Sequence, residues 1–194
     1  MQEEILVLGY GPVGRATVAA LLAGGGNVRV AQRSRPADLP PCVAFTRCDV
    51  LDPASVAAAL AGAAQVVVTI GLPYDGAVWL RDWPRAMTNL LDGCAATDAR
   101  MVFVDNLYMY GPQTAPLTED MPLLNHGRKP AARTAVTQLW QAARHRVRVA
   151  TLRAPDFYGP GVTQSHLGDM AFGALARGKT AQLAAPAVAR RVGL

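Results

Sequence analysis

A chain of 194 residues, 51% hydrophobic and 17% charged, is long enough for one domain with a full core and too apolar to be disordered. No apolar run reaches the ~18 residues of a membrane span, and the acidic opening Met1-Gln2-Glu3-Glu4 is not a signal peptide, so the expected location is cytoplasmic with no membrane partner. The net charge of +5 comes mostly from scattered arginines without a recognition-helix or RNA-binding aromatic pattern, which predicts no nucleic-acid partner and a basic surface that partly serves an anionic ligand.

The first elements carry the clearest signal. The apolar run Ile5-Leu6-Val7-Leu8 reads as a buried strand. It ends in Gly9-Tyr10-Gly11-Pro12-Val13-Gly14, and a helix is expected from Arg15 to Ala23. Strand, glycine turn and helix in this order form the dinucleotide-binding fingerprint. Gly9 permits the turn, Gly11 lets the backbone approach a pyrophosphate, and Gly14 lets the helix pack on the strand. Amide N–H groups at the helix start then face the phosphates. Gly24-Gly25-Gly26 ends the helix, and a second strand is expected at Val28–Ala31. After it, where an acid would take the ribose hydroxyls, stand Gln32-Arg33-Ser34-Arg35. A guanidinium at this point suits a 2′-phosphate, so Arg33 predicts NADP in preference to NAD.

Further along, a loop spans Pro36–Pro41 and a third strand is expected at Val43–Cys48. Asp52-Pro53 opens a helix ending near Gly62. The fourth strand is placed at Gln65–Gly71, followed by the loop Gly71-Leu72-Pro73-Tyr74-Asp75-Gly76 at a strand end where ligands bind in such sheets. A long helix is expected at Trp79–Thr97, with Trp79, Trp83, Met87, Leu90, Leu91 and Cys94 as its core-facing stripe and Pro84 in its first turns, where it can bend the helix. A fifth strand is expected at Arg100–Val104, a polar loop at Gln113–Lys129, a helix at Ala131–Arg144 and a sixth strand at Val147–Arg153. Strands alternating with helices predict an α/β fold, a Rossmann-type doubly wound parallel sheet with helices on both faces. Cys42, Cys48 and Cys94 lack CxxC spacing and read as reduced thiols, and His126, His145 and His166 lack metal spacing.

Three stretches together resemble the extended short-chain dehydrogenase/reductase family, in particular its atypical NAD-dependent epimerase/dehydratase members. They are Gly9–Gly14, then Val104-Asp105-Asn106-Leu107-Tyr108-Met109-Tyr110-Gly111-Pro112, then Leu152-Arg153-Ala154-Pro155-Asp156-Phe157-Tyr158-Gly159-Pro160-Gly161. The resemblance reaches about Gly178. It implies cofactor contacts at Gly9, Gly11, Pro12, Val13, Gly14, Asp49, Gly71 and Pro155, with Asp49 beside the adenine ring. It implies a dinucleotide domain over 1–160 and the start of an incomplete substrate subdomain over 161–194, and hence a truncated chain. Apolar surface that such a subdomain normally covers would drive association as a homodimer.

The chain departs from the family where protons move. The family's Ser or Thr position falls on Asn106, and its Tyr-x-x-x-Lys pair falls on Lys129 and Arg133. Hydride transfer at a carbinol carbon needs a group that exchanges the hydroxyl proton. Arg133 can hold ribose hydroxyls but cannot exchange a proton, and Asn106 can orient a substrate oxygen. Lys129 exchanges a proton only if its pKa is lowered. Tyr108, two residues beyond Asn106, would share its face in an extended segment and can supply the missing phenol. Packing in the loop is the alternative for Tyr108. Tyr74, Asp75 and Asp156 are further polar groups expected at the same mouth. Two readings remain open: an NAD(P)-dependent oxidoreductase or epimerase on a small hydroxylated, sugar-like substrate, and a non-catalytic NAD(P)-binding redox sensor or scaffold.

Overall fold

The computed structural model describes residues 3–159, 161, 162, 165 and 168–181. They fall into two compact units divided between Ala154 and Pro155. In the first unit the elements run β1 (Glu4–Leu8), α1 (Pro12–Ala23), β2 (Asn27–Gln32), β3 (Ala44–Arg47), α2 (Pro53–Leu60), β4 (Gln65–Val68), α3 (Gly76–Thr97), β5 (Arg100–Asp105), α4 (Arg128–Ala142) and β6 (Val149–Arg153). In the second, a π-helical turn at Gly168–Gly173 continues into a helical turn at Ala174–Ala176. His166 lies outside the described residues.

The six strands form one parallel sheet in the order β3-β2-β1-β4-β5-β6. The chain starts mid-sheet, builds outward to β3, then returns beside β1 and builds the other way. The Rossmann-type doubly wound sheet is therefore present, with its order reversing between β1 and β4, where loops diverge and leave a crevice.

Period-two alternation sends each strand's side chains to two cores. Leu6 and Leu8 of β1, Val66 and Val68 of β4, and Met101 and Phe103 of β5 join one cluster with residues of α2, α3 and α4. Val7, Val28, Val30 and Val67 join another with Val18 of α1 and with Leu39 and Val43 of the β2–β3 loop. Helices thus cover both faces.

Helix α3 organises the larger core. The Asp75 side chain caps it by accepting from the Ala77 and Val78 N–H groups, and Asp98 in the left-handed region, φ 55°, ends it. The predicted stripe is buried in full, and the helix runs through Pro84.

Several boundaries differ from the sequence reading. Strand β4 stops at Val68: the Thr69 N–H still donates to the Leu8 carbonyl, and the Thr69 hydroxyl donates to the Leu8 and Gly9 carbonyls. Helix α4 starts at Arg128 and not at Ala131, which brings Lys129 into its first turn, four residues before Arg133 on the same face. The segment after β5 is not extended: Tyr108–Tyr110 coil into a 3-10 turn, and the Tyr108 N–H donates to Asn106 Oδ1. Tyr108 and Asn106 therefore do not share a strand face.

Trp83 is 1% exposed and Leu80, one turn earlier, is 42% exposed. In urea denaturation, Trp83→Ala is expected to cost about 3–5 kcal/mol. Leu80→Ala is expected to stay within about 0.5 kcal/mol of the parent.

Candidate functional site

The glycine turn dictates where a ligand can lie. Gly9 has φ +101°, and a Cβ there would meet the Thr69–Ile70 backbone at 3.0 Å. A Cβ at Gly14 would overlap the Gly9 carbonyl oxygen. Neither position accepts a side chain, so the α1 start sits against the β1–β4 junction. At Gly11 a Cβ would meet nothing within 4 Å, which leaves open space over that turn. No side chain caps α1, and Pro12 occupies its first position, where a missing N–H costs nothing.

A cleft of about 430 Å³ opens here. Its walls are the loops that leave four adjacent strands: Leu8–Gly11 after β1, Gln32–Ser34 at β2, Cys48–Leu51 after β3 and Thr69–Pro73 after β4. Val78, Arg81 and Asp82 of α3 complete it. Gly9, Gly11, Arg33, Asp49 and Gly71 of the expected cofactor set line this cleft, while Pro12, Val13 and Gly14 form the first turn of α1. Pro155 begins the second unit. The volume lies in the range of small-ligand clefts. Glycines that exclude side chains, open space over Gly11 and an uncapped helix start fit a dinucleotide pyrophosphate.

The end of β2 is more specific. Gln32 stands where the ribose acid would be, and its carboxamide ties two loops together. Its oxygen accepts from the Tyr10 N–H at 3.0 Å, and its nitrogen donates to the Ser34 carbonyl at 2.8 Å. Arg33 and Ser34 are exposed at the rim. Arg15 makes an ion pair with Asp38 and lies over the Tyr10 ring, and Arg35 lies over Phe45. Asp49 accepts from the Leu51 N–H at 3.0 Å.

Asp82 and Arg81 are cleft residues that sequence reasoning passed over. Asp82 is 6% exposed, and its two oxygens accept from Arg81 at 2.7 and 2.8 Å, which holds its carboxyl below the usual carboxylate range. The available signal was an acid directly beside the buried stripe position Trp83.

Beside the cleft, after Pro73, aromatic rings and cations collect. Trp79 Nε1 donates to the Pro73 carbonyl at 2.9 Å. The Tyr74 and Tyr108 rings both pack edge-on to Trp79, at 5.7 and 5.6 Å between centroids, and their hydroxyls meet at 2.7 Å. The Lys129 ammonium lies 2.7 Å from the Tyr74 ring centroid and 5.5 Å from that of Trp79. A ring face attracts a cation through its quadrupole. Gly76 permits this approach, since a Cβ there would lie 2.9 Å from Arg128 Cβ. The Ala77 and Val78 N–H groups hold the Asp75 carboxyl low, with Arg128 and Lys129 adding to the effect.

Arg133 has a different setting. It is 5% exposed, with its guanidinium 3.8 Å from the Trp83 ring centroid, 4.8 Å from that of Trp79 and 3.1 Å from Asp105 Oδ1. Burial pushes its pKa down to about 10, against the attraction of Asp105 and Tyr108. Burial pushes Asp105 up, against Arg133, the Asn106 N–H and Arg153. Arg153 in turn donates to the Tyr110 hydroxyl. Among the described residues, Asp105 Oδ2, Arg133 Nε and Nη1 and Arg153 Nε have no hydrogen-bond partner, so Arg133 and Asp105 meet as an ion pair and not as a hydrogen bond. The structure thus brings Tyr108, Lys129 and Arg133 together around Trp79, places Asn106 under Tyr108, and directs Arg133 to Asp105.

The model of the NAD dependent epimerase/dehydratase family matches residues 5–188. No curated protein matches the chain. Among solved structures, the Bordetella bronchiseptica enzyme WbmG in complex with NAD and UDP is similar, with TM-score 0.79 and 20% identity over 92% of this chain and 61% of that one. UDP-glucuronic acid 4-epimerase from Bacillus cereus in complex with NAD gives TM-score 0.75 and 20% identity over 92% of this chain and 65% of that one. UDP-glucose 4-epimerase from Thermus thermophilus in complex with NAD gives 0.67 and 21% over 77% and 54%. The chain thus spans less than two thirds of the length of each.

The buried pair generates a stability test. Arg133→Met alone leaves the Asp105 carboxyl buried without its cation and is expected to cost about 3–5 kcal/mol in denaturant titration. The double variant Asp105→Leu/Arg133→Met is expected to recover most of that loss, since apolar groups of similar volume replace a buried pair at little cost.

Proposed function

The chain belongs to the NAD dependent epimerase/dehydratase family, and from that premise we propose that it binds a nicotinamide dinucleotide, NADP(H) in preference to NAD(H), and acts as an oxidoreductase or epimerase on a small hydroxylated, nucleotide-sugar-like substrate. The observation that carries this reading is the cleft at the β1–β4 switch point, with a glycine turn on one wall and Arg33 on the rim. A bound nicotinamide accepts and returns a hydride. The chain's own residues do the rest. The α1 start and the Gly9–Gly11 backbone take the pyrophosphate, and Asp49 takes the adenine end. Gln32 has its carboxamide engaged by Tyr10 and Ser34, so β2 ends without a carboxylate for a ribose diol. Arg33 supplies a planar cation for a 2′-phosphate.

For proton exchange, Tyr108 supports the catalytic reading better than Lys129 does. Its hydroxyl is paired with that of Tyr74, whereas the Lys129 ammonium lies on ring faces. Asn106 fixes the Tyr108 turn through its side-chain oxygen and keeps an amide N–H₂ that can donate to a substrate oxygen. A homodimer belongs to the same reading, and rests on exposed apolar side chains such as Leu152, 59% exposed on the edge strand β6. One observation favours the second reading, a non-catalytic dinucleotide-binding sensor or scaffold: the residue at the catalytic lysine position is held by Asp105.

Calorimetric titration with NADPH and NADH tests the cofactor assignment. NADPH is expected to bind more tightly, and Arg33→Ala to weaken NADPH by about 10-fold to 100-fold, the loss of a charged hydrogen bond of about 1.5–3 kcal/mol, with little effect on NADH. Equal affinities, or a preference for NADH, would remove the role given to Arg33. Incubation of the loaded protein with UDP-glucose and UDP-glucuronic acid, read by sugar NMR and reduced-nicotinamide absorbance, separates the enzyme from the scaffold. Gel filtration with light scattering reads the oligomer.

A further inference from the structure

The family's Tyr-x-x-x-Lys is missing, yet two phenols and an ammonium meet in this fold from three separate places. Tyr74 comes from the loop after β4, Tyr108 from the turn after β5 and Lys129 from the first turn of α4. The two hydroxyls lie 2.7 Å apart, a full hydrogen bond, so one phenol donates to the other. The pair has a direction. Tyr108 is half-buried against Trp79, whereas Tyr74 is 61% exposed. It runs from the interior side of the mouth to water.

We propose that Tyr74 is a second proton-transfer residue, and that Tyr108 and Tyr74 form a two-hydroxyl relay which replaces the missing Tyr-x-x-x-Lys. The inference rests on the oxidoreductase or epimerase reading above. In the oxidative direction the substrate C–H bond breaks and its electron pair leaves as hydride to the oxidised nicotinamide. The carbinol O–H proton passes to the Tyr108 oxygen, the Tyr108 proton passes to the Tyr74 oxygen, and the Tyr74 proton passes to water. The carbinol becomes a carbonyl, both phenols end neutral, and one proton has left the protein. In the reductive direction each transfer reverses. Neither phenol needs to ionise fully, because each gives a proton as it takes one. The Lys129 ammonium on the Tyr74 ring favours any negative charge that develops on the relay during transfer. Trp79 holds both rings edge-on and fixes their hydroxyls in register.

The test combines turnover with a readout that needs no substrate. Infrared difference spectra, parent minus each Phe variant, of protein carrying tyrosine labelled with carbon-13 at the phenolic carbon are expected to show one donor and one acceptor C–O band over the bands of the other three tyrosines. Tyr74→Phe and Tyr108→Phe should each abolish that pairing. With UDP-glucose and UDP-glucuronic acid as substrates, Tyr108→Phe is expected to lower kcat about 10²-fold to 10⁴-fold. Tyr74→Phe should lower kcat by about 10-fold or more while KM and cofactor affinity stay unchanged. Rate against deuterium fraction should curve in the parent, with two or more protons in flight, and become linear in Tyr74→Phe. A parent without the infrared pairing, or a Tyr74→Phe variant with parental kcat and a parental isotope curve, would overturn the relay and leave the enzyme reading standing. Absence of turnover in the parent with both sugars would overturn the enzyme reading and the relay with it.

Discussion

A single carbonyl oxygen, that of Gly9, lies where any side chain at position 14 would begin. Much of the molecule depends on that contact. It lets α1 start against the end of β1, the strand beside which the sheet order reverses. Thr69 reinforces the junction from the other side, its hydroxyl donating to the same Gly9 oxygen at 2.9 Å. The oxygen therefore ties the first strand, the first helix and the start of the β4 loop together without help from a long side chain. A crevice made this way is a property of the backbone.

The aromatic cluster is built on the opposite plan. Its groups come from loops and helix starts far apart in the chain, and they are held by ring faces, a phenol pair and one buried ion pair. Each contact depends on a long side chain reaching its partner in the folded state. The two halves of the mouth thus differ in how they are specified: one by excluded volume at glycine, the other by complementary charge and aromatic quadrupoles.

That difference explains what could be read from the sequence. Gly9, Gly11 and Gly14, the α3 stripe from Trp79 to Cys94 and the order of strands and helices were legible, because local spacing determines them. Arg33 was legible as a rim residue for a similar reason, since it directly follows the last residue of β2. The setting of Arg133 was not, because its partner Asp105 lies on another element and only the parallel sheet brings the two together. Tyr108 was misplaced in its local geometry: Asn106 accepts from its N–H and coils the chain, an Asx-type contact that competes with extended structure. The start of α4 was set three residues late. Arg128 and Lys129 look like loop residues by polarity, yet they pack against Gly76 and Tyr74.

The ion pair between Asp105 and Arg133 limits which side chains position 133 accepts. A lysine at 133 would keep the charge but lose the flat guanidinium that stacks 3.8 Å from the Trp83 ring centroid. A lysine that instead reached toward a ribose would abandon a carboxylate buried at 2% exposure. Position 133 can serve the strand end or the cofactor, but not both. Replacing Arg133 without changing Asp105 therefore leaves a buried carboxylate short of its ion-pair partner, so the two positions are coupled through the core.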